Sequence, residues 1–196
     1  MKKTSLHISL ALIAAASLAG CDTTNDASNG NFEKAINEKL ENHCIPLRTG
    51  YSFPVVDILF STESQYHNRF DKLNALVKAG LLSAEKEDII KYREKAKRHT
   101  YKLTKEGERY IMEKTSGIFC IGKYKVQKII NFTVPSDKLG RMLSRVNYTY
   151  SPSEVPAWAK SEDIKKAFPL IVSNLKETQE GSITLFLYND GWSANP

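Results

Sequence analysis

Apolar residues recur at helical spacing in the first half of the chain. Phe32, Ile36 and Leu40 stand four residues apart, which places them on one face and predicts a helix. A second apolar stripe predicts a helix over 65–79, with Gly80 positioned as its C-terminal cap. Two amphipathic helices are therefore expected before residue 81. The members of the second stripe are Tyr66, Phe70, Leu73 and Val77.

The segment from 81 to 114 changes to an alternating and strongly charged sequence. Its pattern predicts two strands that turn near Lys95–His99 and return through Thr100–Leu103. Thr104 is placed to cap a further helix over 105–114. The apolar run Val55–Phe60 fits either a strand or a buried helix, because periodicity alone does not separate the two.

Two motifs mark the order helix, hairpin, helix in this region. They are Leu73-x-x-Leu76-x-x-x-Gly80-Leu81-Leu82 before the basic hairpin and Tyr101-x-Leu103-Thr104-x-x-Gly107 after it. This order resembles the second half of a winged-helix domain. In that family a helix ends in a glycine and leucines, a wing follows, and a leucine-threonine pair starts the next helix. The resemblance implies a winged-helix-like geometry over residues 70–115.

Past Gly117 the pattern is that of β-strands. Apolar and polar residues alternate over Lys123–Val134 and again over 142–150, and Pro135–Gly140 predicts the loop between the two strands. The face of the first strand that is expected to be buried carries Tyr124, Val126, Ile130, Phe132 and Val134.

A helix is expected over 161–175, kinked or divided by Pro169, with a closing strand over 182–188. The fold class predicted from these patterns is α+β. A helical, winged-helix-like region over 32–116 is followed by a small antiparallel sheet with one packed helix over 117–196.

The N-terminus has the pattern of a secretory signal. Met1-Lys2-Lys3 is cationic, Leu6–Leu18 is almost wholly apolar, and small residues follow. The apolar stretch is too short for a transmembrane helix, which needs about 20 apolar residues. Residues 1–20 are therefore interpreted as a signal peptide.

The sequence Leu18-Ala19-Gly20-Cys21 ends this segment. It resembles the lipobox of bacterial lipoproteins, and the resemblance implies that Cys21 carries a diacylglyceryl thioether and an acylated amine. Several acyl chains make a stable membrane anchor where one chain is marginal. Asp22 resembles the signal that retains enterobacterial lipoproteins in the inner membrane, with the outer membrane as the alternative. The expected location is a bacterial membrane, facing the periplasm.

Residues 22–31 contain no large apolar side chain, so 21–31 is interpreted as a lipidated, flexible tether. The remaining chain has the composition of a globular protein. The full chain has a net charge of +6, which falls to about +4 when the signal peptide with Lys2 and Lys3 is removed. Such a mild charge suits contact with anionic phospholipid and does not indicate a nucleic-acid partner.

Two further cysteines, Cys44 and Cys120, remain once Cys21 is lipidated. An exported protein meets an oxidising compartment, so this even pair predicts a disulfide. His43 precedes Cys44, but no second histidine or cysteine stands at ligand spacing. The sequence therefore predicts neither a metal site nor a cofactor.

A basic run with interleaved Tyr92 and Tyr101 is the strongest charge feature. As the wing of a winged helix it would contact phosphates of DNA, but an exported domain does not meet the chromosome. The remaining interpretations are a solvated hairpin, contact with anionic lipid headgroups and a protein-partner surface. The candidate residues are Lys91, Arg93, Lys95, Lys97, Arg98 and Lys102.

Catalytic motifs are not found in the sequence. His43, His67 and His99 stand apart, and neither a nucleophile elbow nor a phosphate-binding glycine loop occurs. The hypothesis is a non-catalytic lipoprotein that binds an envelope protein or a cell-wall polymer. The alternatives are an envelope hydrolase with an unrecognised site and, with less support, a nucleic-acid-binding winged-helix protein.

Overall fold

The computed structural model describes residues 23–60, 67–138 and 140–195. The predicted signal peptide, Cys21 and Asp22 lie outside the described residues, and so does Tyr66. No helix in the described part of the chain is both long enough and apolar enough to span a bilayer.

Short helices are distributed along the whole chain. They are α1 (Asn29–Glu41), α2 (His67–Lys78), α3 (Lys105–Tyr110), α4 (Glu162–Ala167) and α5 (Leu170–Asn174), with a short 3-10 helix at Ala157–Lys160. Strands account for more of the structure. They are β1 (Cys44–Arg48), β2 (Val55–Phe60), β3 (Leu82–Lys91), β4 (Glu94–Leu103), β5 (Ile111–Glu113), β6 (Ile118–Phe132), β7 (Ser136–Lys138), β8 (Arg141–Ser153), β9 (Gln179–Tyr188) and β10 (Gly191–Ser193).

These strands contradict the predicted fold class. Strands β1 to β5 all precede residue 117, so the first half of the chain is not helical, and the protein is mostly β-structure. The expectation of a helical, winged-helix-like N-terminal half followed by a small sheet is wrong. One cause is Pro46, because proline cannot donate to a strand ladder and its presence argues against a strand. It is accommodated because β1 lies at the edge of the sheet and the pairing register shifts between Cys44 and Pro46.

The large sheet has the strand order β1-β6-β8-β9-β10, with β5 also beside β6 and β7 beside β8. All of these pairings are antiparallel. Helix α1 packs on this sheet, where Phe32 and Ile36 are fully buried in one apolar cluster with Val126, Leu185 and Trp192. The predicted first helix is thus present, and it covers the sheet.

Two irregularities in β6 alter the face that the alternation predicts. The register with β8 shifts between Val126 and Lys128 and again between Ile129 and Asn131. Each shift inserts a residue and moves the following side chains to the other face. As a result Ile129 is buried, whereas Ile130 is 47% exposed and was expected inside.

The small sheet has the order β2-β4-β3 and shares its core with α2, α4 and α5. This core cluster joins Val55 and Tyr101 to Phe119, Ile121 and Ile164. It therefore contains residues from both sides of the predicted boundary at 116/117.

Two predicted helix ends are confirmed. The Thr104 side chain accepts a hydrogen bond from the amide of Gly107 at 3.0 Å, which caps α3. Gly80 follows α2 with a φ of 76°, the left-handed conformation that commonly ends a helix.

Where the sequence suggests a tether, the chain from Thr23 onward is hydrogen-bonded to the fold. The Trp192 indole nitrogen donates to the carbonyls of Asn25 and Asp26, each at 3.1 Å. The side-chain amide of Asn31 donates to the carbonyl of Thr23 at 2.7 Å, and the side chain of Ser28 caps α1. Residues 23–28 are therefore attached to the domain by hydrogen bonds.

The predicted disulfide between Cys44 and Cys120 is confirmed. It joins β1 to β6, with the two Cα atoms 5.5 Å apart and 76 residues between them in sequence. The bond links the edge strand to the strand that passes through both core clusters.

Candidate binding surface

The basic run lies on the hairpin of β3 and β4, which extends beyond the core. Leu82 pairs with Leu103 at its base, and Lys91 pairs with Glu94 at its far end. Near the base Leu82 and Tyr101 are buried, but most positions between them and the turn are exposed. The hairpin therefore presents its end to solvent.

Tyr92 and Arg93 form the turn, with φ angles of 55° and 70°. The sequence predicts the turn nearer Lys95–His99, since it lacks the Asn-Gly or Asp-Gly pair that marks two-residue turns with positive φ. A left-handed conformation costs a non-glycine residue roughly 1–2 kcal/mol. The chain places two large side chains here despite that cost, which favours a role for them in binding.

The six candidate cations fall into two groups. Arg98 forms an ion pair with Glu87 at 3.0 Å, and Lys102 forms one with Glu85 at 2.8 Å. Both pairs join β4 to β3 in the part of the hairpin nearer the base. The other four cations have no ion pair with any described residue: Lys91, Arg93, Lys95 and Lys97.

Apolar side chains lie among these four cations. Ile90 is 78% exposed and Tyr92 is 80% exposed. The Phe60 ring of β2 stacks on Tyr92 with 6.4 Å between centroids. The Lys91 ammonium lies 5.2 Å from the Tyr92 ring centre, within range of a cation–π contact. We call this surface the hairpin tip; it comprises Phe60, Ile90, Lys91, Tyr92, Arg93, Lys95 and Lys97.

An open cavity of about 580 Å³ borders the hairpin tip, with Leu59, Ile90, Lys95 and Lys97 among its lining residues. Its volume lies within the range of about 300–1,000 Å³ that is typical of ligand pockets. Its lining is both apolar and charged, with Leu59 and Ile90 beside Lys95, Lys97 and the carboxylate of Asp88.

The histidines do not form a catalytic or metal-binding cluster among the described residues. His43 contacts the carbonyl of Lys39, and the His67 side chain lies outside the described part. His99 lies opposite Asp57 and Lys86 in the small sheet and packs against Phe70 with 5.6 Å between ring centroids. No group of three or more histidines, cysteines and carboxylates that could hold a metal occurs in the described ranges.

Burial lowers the pKa of His99, the nearby Lys86 ammonium lowers it further, and Asp57 opposes both. The unfolded chain therefore takes up this proton near pH 6.5, whereas the folded chain takes it up only at lower pH. Proton binding by the unfolded state reduces the free energy of unfolding as the pH falls through this window.

We expect His99→Phe to reduce the loss of stability between about pH 7.5 and about pH 5.5. Phenylalanine keeps a ring against Phe70 and removes the titration. Urea unfolding of the wild type and the variant at the two pH values measures the difference. Both proteins contain His43, so its contribution cancels in the comparison. An equal loss in the two chains would show that His99 does not contribute to the pH dependence.

Three members of the hairpin tip are not among the six candidate cations that the sequence predicts: Phe60, Ile90 and the interleaved Tyr92. Phe60 lies in the run Val55–Phe60, which fits either a strand or a buried helix, and its pairing with Ala96 on β4 brings it to the tip. The sequence does indicate that Ile89 or Ile90 is exposed, because the two are adjacent and a strand directs one of them to each face. Tyr101, which was grouped with Tyr92, is 1% exposed and belongs to the core.

Comparisons with protein-family models, curated proteins and solved structures found no match to this chain.

Proposed function

We propose that this protein is a lipid-anchored, non-catalytic binding module of the bacterial envelope, and that its hairpin tip binds an acidic surface of another envelope protein. The observation that carries the proposal is the hairpin tip, where exposed aromatic and aliphatic groups lie among four cations. Cys21 supplies the membrane anchor through its lipobox, and Asp22 favours the inner membrane.

The chemistry of the tip favours a protein partner. Aromatic side chains and arginine are enriched where proteins bind one another, and charge-complementary groups around them guide association. Tyr92 and Arg93 are adjacent, and Phe60 supports the tyrosine ring. A cell-wall polymer supplies carboxylates but little apolar surface to cover Ile90, whereas a protein supplies both.

The location is supported by two independent features. The lipobox predicts export, and the disulfide between Cys44 and Cys120 suits an oxidising compartment. In that compartment the basic hairpin is separated from chromosomal DNA. We therefore assign the cations of the tip to carboxylates of a partner protein.

Site-specific photo-crosslinking in cells tests this assignment. A photoreactive phenylalanine derivative at Tyr92 of the full-length protein is expected to give one dominant protein adduct. The same group at Val172 of α5, which is 53% exposed, serves as the matched control and is expected to give none. Adding Lys91→Glu and Arg93→Glu to the Tyr92 variant should reduce the adduct about fivefold or more, because charge complementarity drives association.

The anchor is tested in the same cells with a labelled fatty acid. The wild-type protein should incorporate the label and Cys21→Ser should not, and an unlabelled wild-type protein contradicts the anchor. Equal adducts at Tyr92 and Val172, or an adduct that survives the charge reversal, contradict the binding surface. Co-sedimentation with isolated cell wall in the absence of any protein adduct would exclude a protein as the partner.

A further inference from the structure

The N-terminal segment 23–28 is hydrogen-bonded to the large sheet. The position of Thr23 therefore limits how far the acylated Cys21 can lie from this sheet. The side chain of Asp26 accepts a hydrogen bond from the Thr23 amide at 2.8 Å. Trp192 holds the next turn of chain through Asn25 and Asp26. Because each residue spans at most about 3.6 Å, Cys21 is within roughly 7 Å of Thr23.

This segment lies at one end of β6, and the hairpin tip is rooted at the other. The centroid of the Phe32 ring lies 4.8 Å from that of Phe132 and 4.9 Å from that of Trp192. Segment 23–28 therefore lies beside Phe132, the last residue of β6. Phe119, near the first residue of β6, belongs to the core cluster that holds the small sheet. At about 3.3 Å per residue, these two ends are at most roughly 40 Å apart. We call the end marked by Thr23, Trp192 and Phe132 the anchor end.

The β7–β8 hairpin carries apolar and cationic side chains at the anchor end, where Leu143 of β8 and Ser193 of β10 both pair with Phe186 of β9. Val134, which precedes β7, is 85% exposed, and Met142, the second residue of β8, is 37% exposed. Lys138 pairs with Arg141 at the last position of this hairpin, so the two cations are neighbours. The carboxylate of Asp137 accepts a hydrogen bond from the Gly140 amide and is thereby turned into the loop.

We propose that the anchor end is a second membrane contact. Val134 and Met142 enter the interfacial layer of an anionic phospholipid leaflet, and Lys138 and Arg141 meet its phosphates. The inference rests on the proposed function, because it requires acyl chains on Cys21. An acyl anchor holds a protein at the surface without setting its orientation, whereas an apolar and cationic contact beside the anchor sets it.

Fluorescence of the full-length lipidated protein in vesicles tests the orientation. Val134→Cys and Ile90→Cys are each labelled with an environment-sensitive dye; both sites are exposed and apolar, and each lies in or beside a hairpin. Cys44 and Cys120 are bonded to each other, so the introduced thiol takes the label. In vesicles of phosphatidylglycerol and phosphatidylethanolamine, the dye at 134 should shift to shorter wavelength. Its quenching by iodide should fall about fivefold, with no change for the dye at 90.

Charge reversal distinguishes a contact of Lys138 and Arg141 with lipid from mere closeness of residue 134 to the vesicle surface. Lys138→Glu with Arg141→Glu should restore quenching of the dye at 134, and so should vesicles of phosphatidylcholine alone. Lys91→Glu with Arg93→Glu, the matched change at the hairpin tip, should leave it protected. Equal quenching at 134 and 90, or protection that is insensitive to Lys138 and Arg141, overturns the inference.

The two proposals fail in different ways. A chain that carries no acyl group and does not sediment with the vesicles refutes the anchor itself. A chain that sediments with the vesicles while the dye at 134 stays exposed refutes only the second contact. Circular dichroism of each labelled variant establishes that the fold is retained before either conclusion is drawn.

Discussion

Replacing Cys44 and Cys120 together by alanine should lower the free energy of unfolding by about 4 kcal/mol. The bond closes a loop of 76 residues, and the chain-entropy model assigns a stabilisation of that size to such a loop. The loss should arise mainly because the unfolded chain gains conformational freedom, since β1 retains its backbone pairing with β6. Urea unfolding of the variant and the wild type measures the difference.

Reduction of the wild-type protein provides the control for this variant. A thiol reductant should lower the wild-type unfolding midpoint close to that of the variant and should leave the variant unchanged. If the wild-type midpoint does not move while its thiols become titratable, the disulfide does not stabilise the fold.

Gly107→Ala should destabilise the protein by about 3 kcal/mol, at the upper end of the usual cost of overpacking. A Cβ atom at position 107 would overlap the carbonyl oxygen of Leu81 and lie 3.2 Å from the Leu103 side chain. That carbonyl also accepts the hydrogen bond from the Thr104 amide, so it cannot move away without weakening the start of α3. Glycine is required at position 107 because the backbone there is in direct contact with the backbone at Leu81.

Gly80→Ala is the matched control for Gly107→Ala. Gly80 has a φ of 76°, but a Cβ atom there meets no other atom within 4 Å. Its cost should therefore be the conformational one alone, about 1 kcal/mol. Urea unfolding compares the two variants, and a Gly107→Ala loss no larger than that of Gly80→Ala would contradict the close contact with Leu81.

Local chemistry accounts for the parts of the fold that were predictable. The cap at Thr104 and the terminating glycine at position 80 act within one helical turn, so their signals are complete in the neighbouring residues. The disulfide was predictable from cysteine number and the expected compartment. The fold class was not, because β1 depends on pairing with β6, which lies 70 or more residues later.

The pairing register of β3 with β4 determines which cations of the candidate site have ion-pair partners, and the sequence does not predict this register. The cations of the hairpin are visible in composition, but their partners depend on where the chain turns. A turn at 95–99 would pair the two strands differently, whereas the turn at Tyr92 and Arg93 aligns Glu87 with Arg98 and Glu85 with Thr100. The division of six cations into two paired and four unpaired side chains, within the described ranges, follows from that turn.

The hydrogen bonds of Trp192 also bear on when the N-terminal segment can dock during folding. The contact from its indole to Asn25 joins residues that are 167 positions apart in sequence. α1 packs on β6 and β10, so its binding site is complete only after nearly the whole chain has been synthesised. Contacts of such long range slow folding, because the entropy of closing the loop must be lost before they form. The emerging chain therefore keeps its N-terminal segment undocked until late, which is compatible with the export that we propose for this protein.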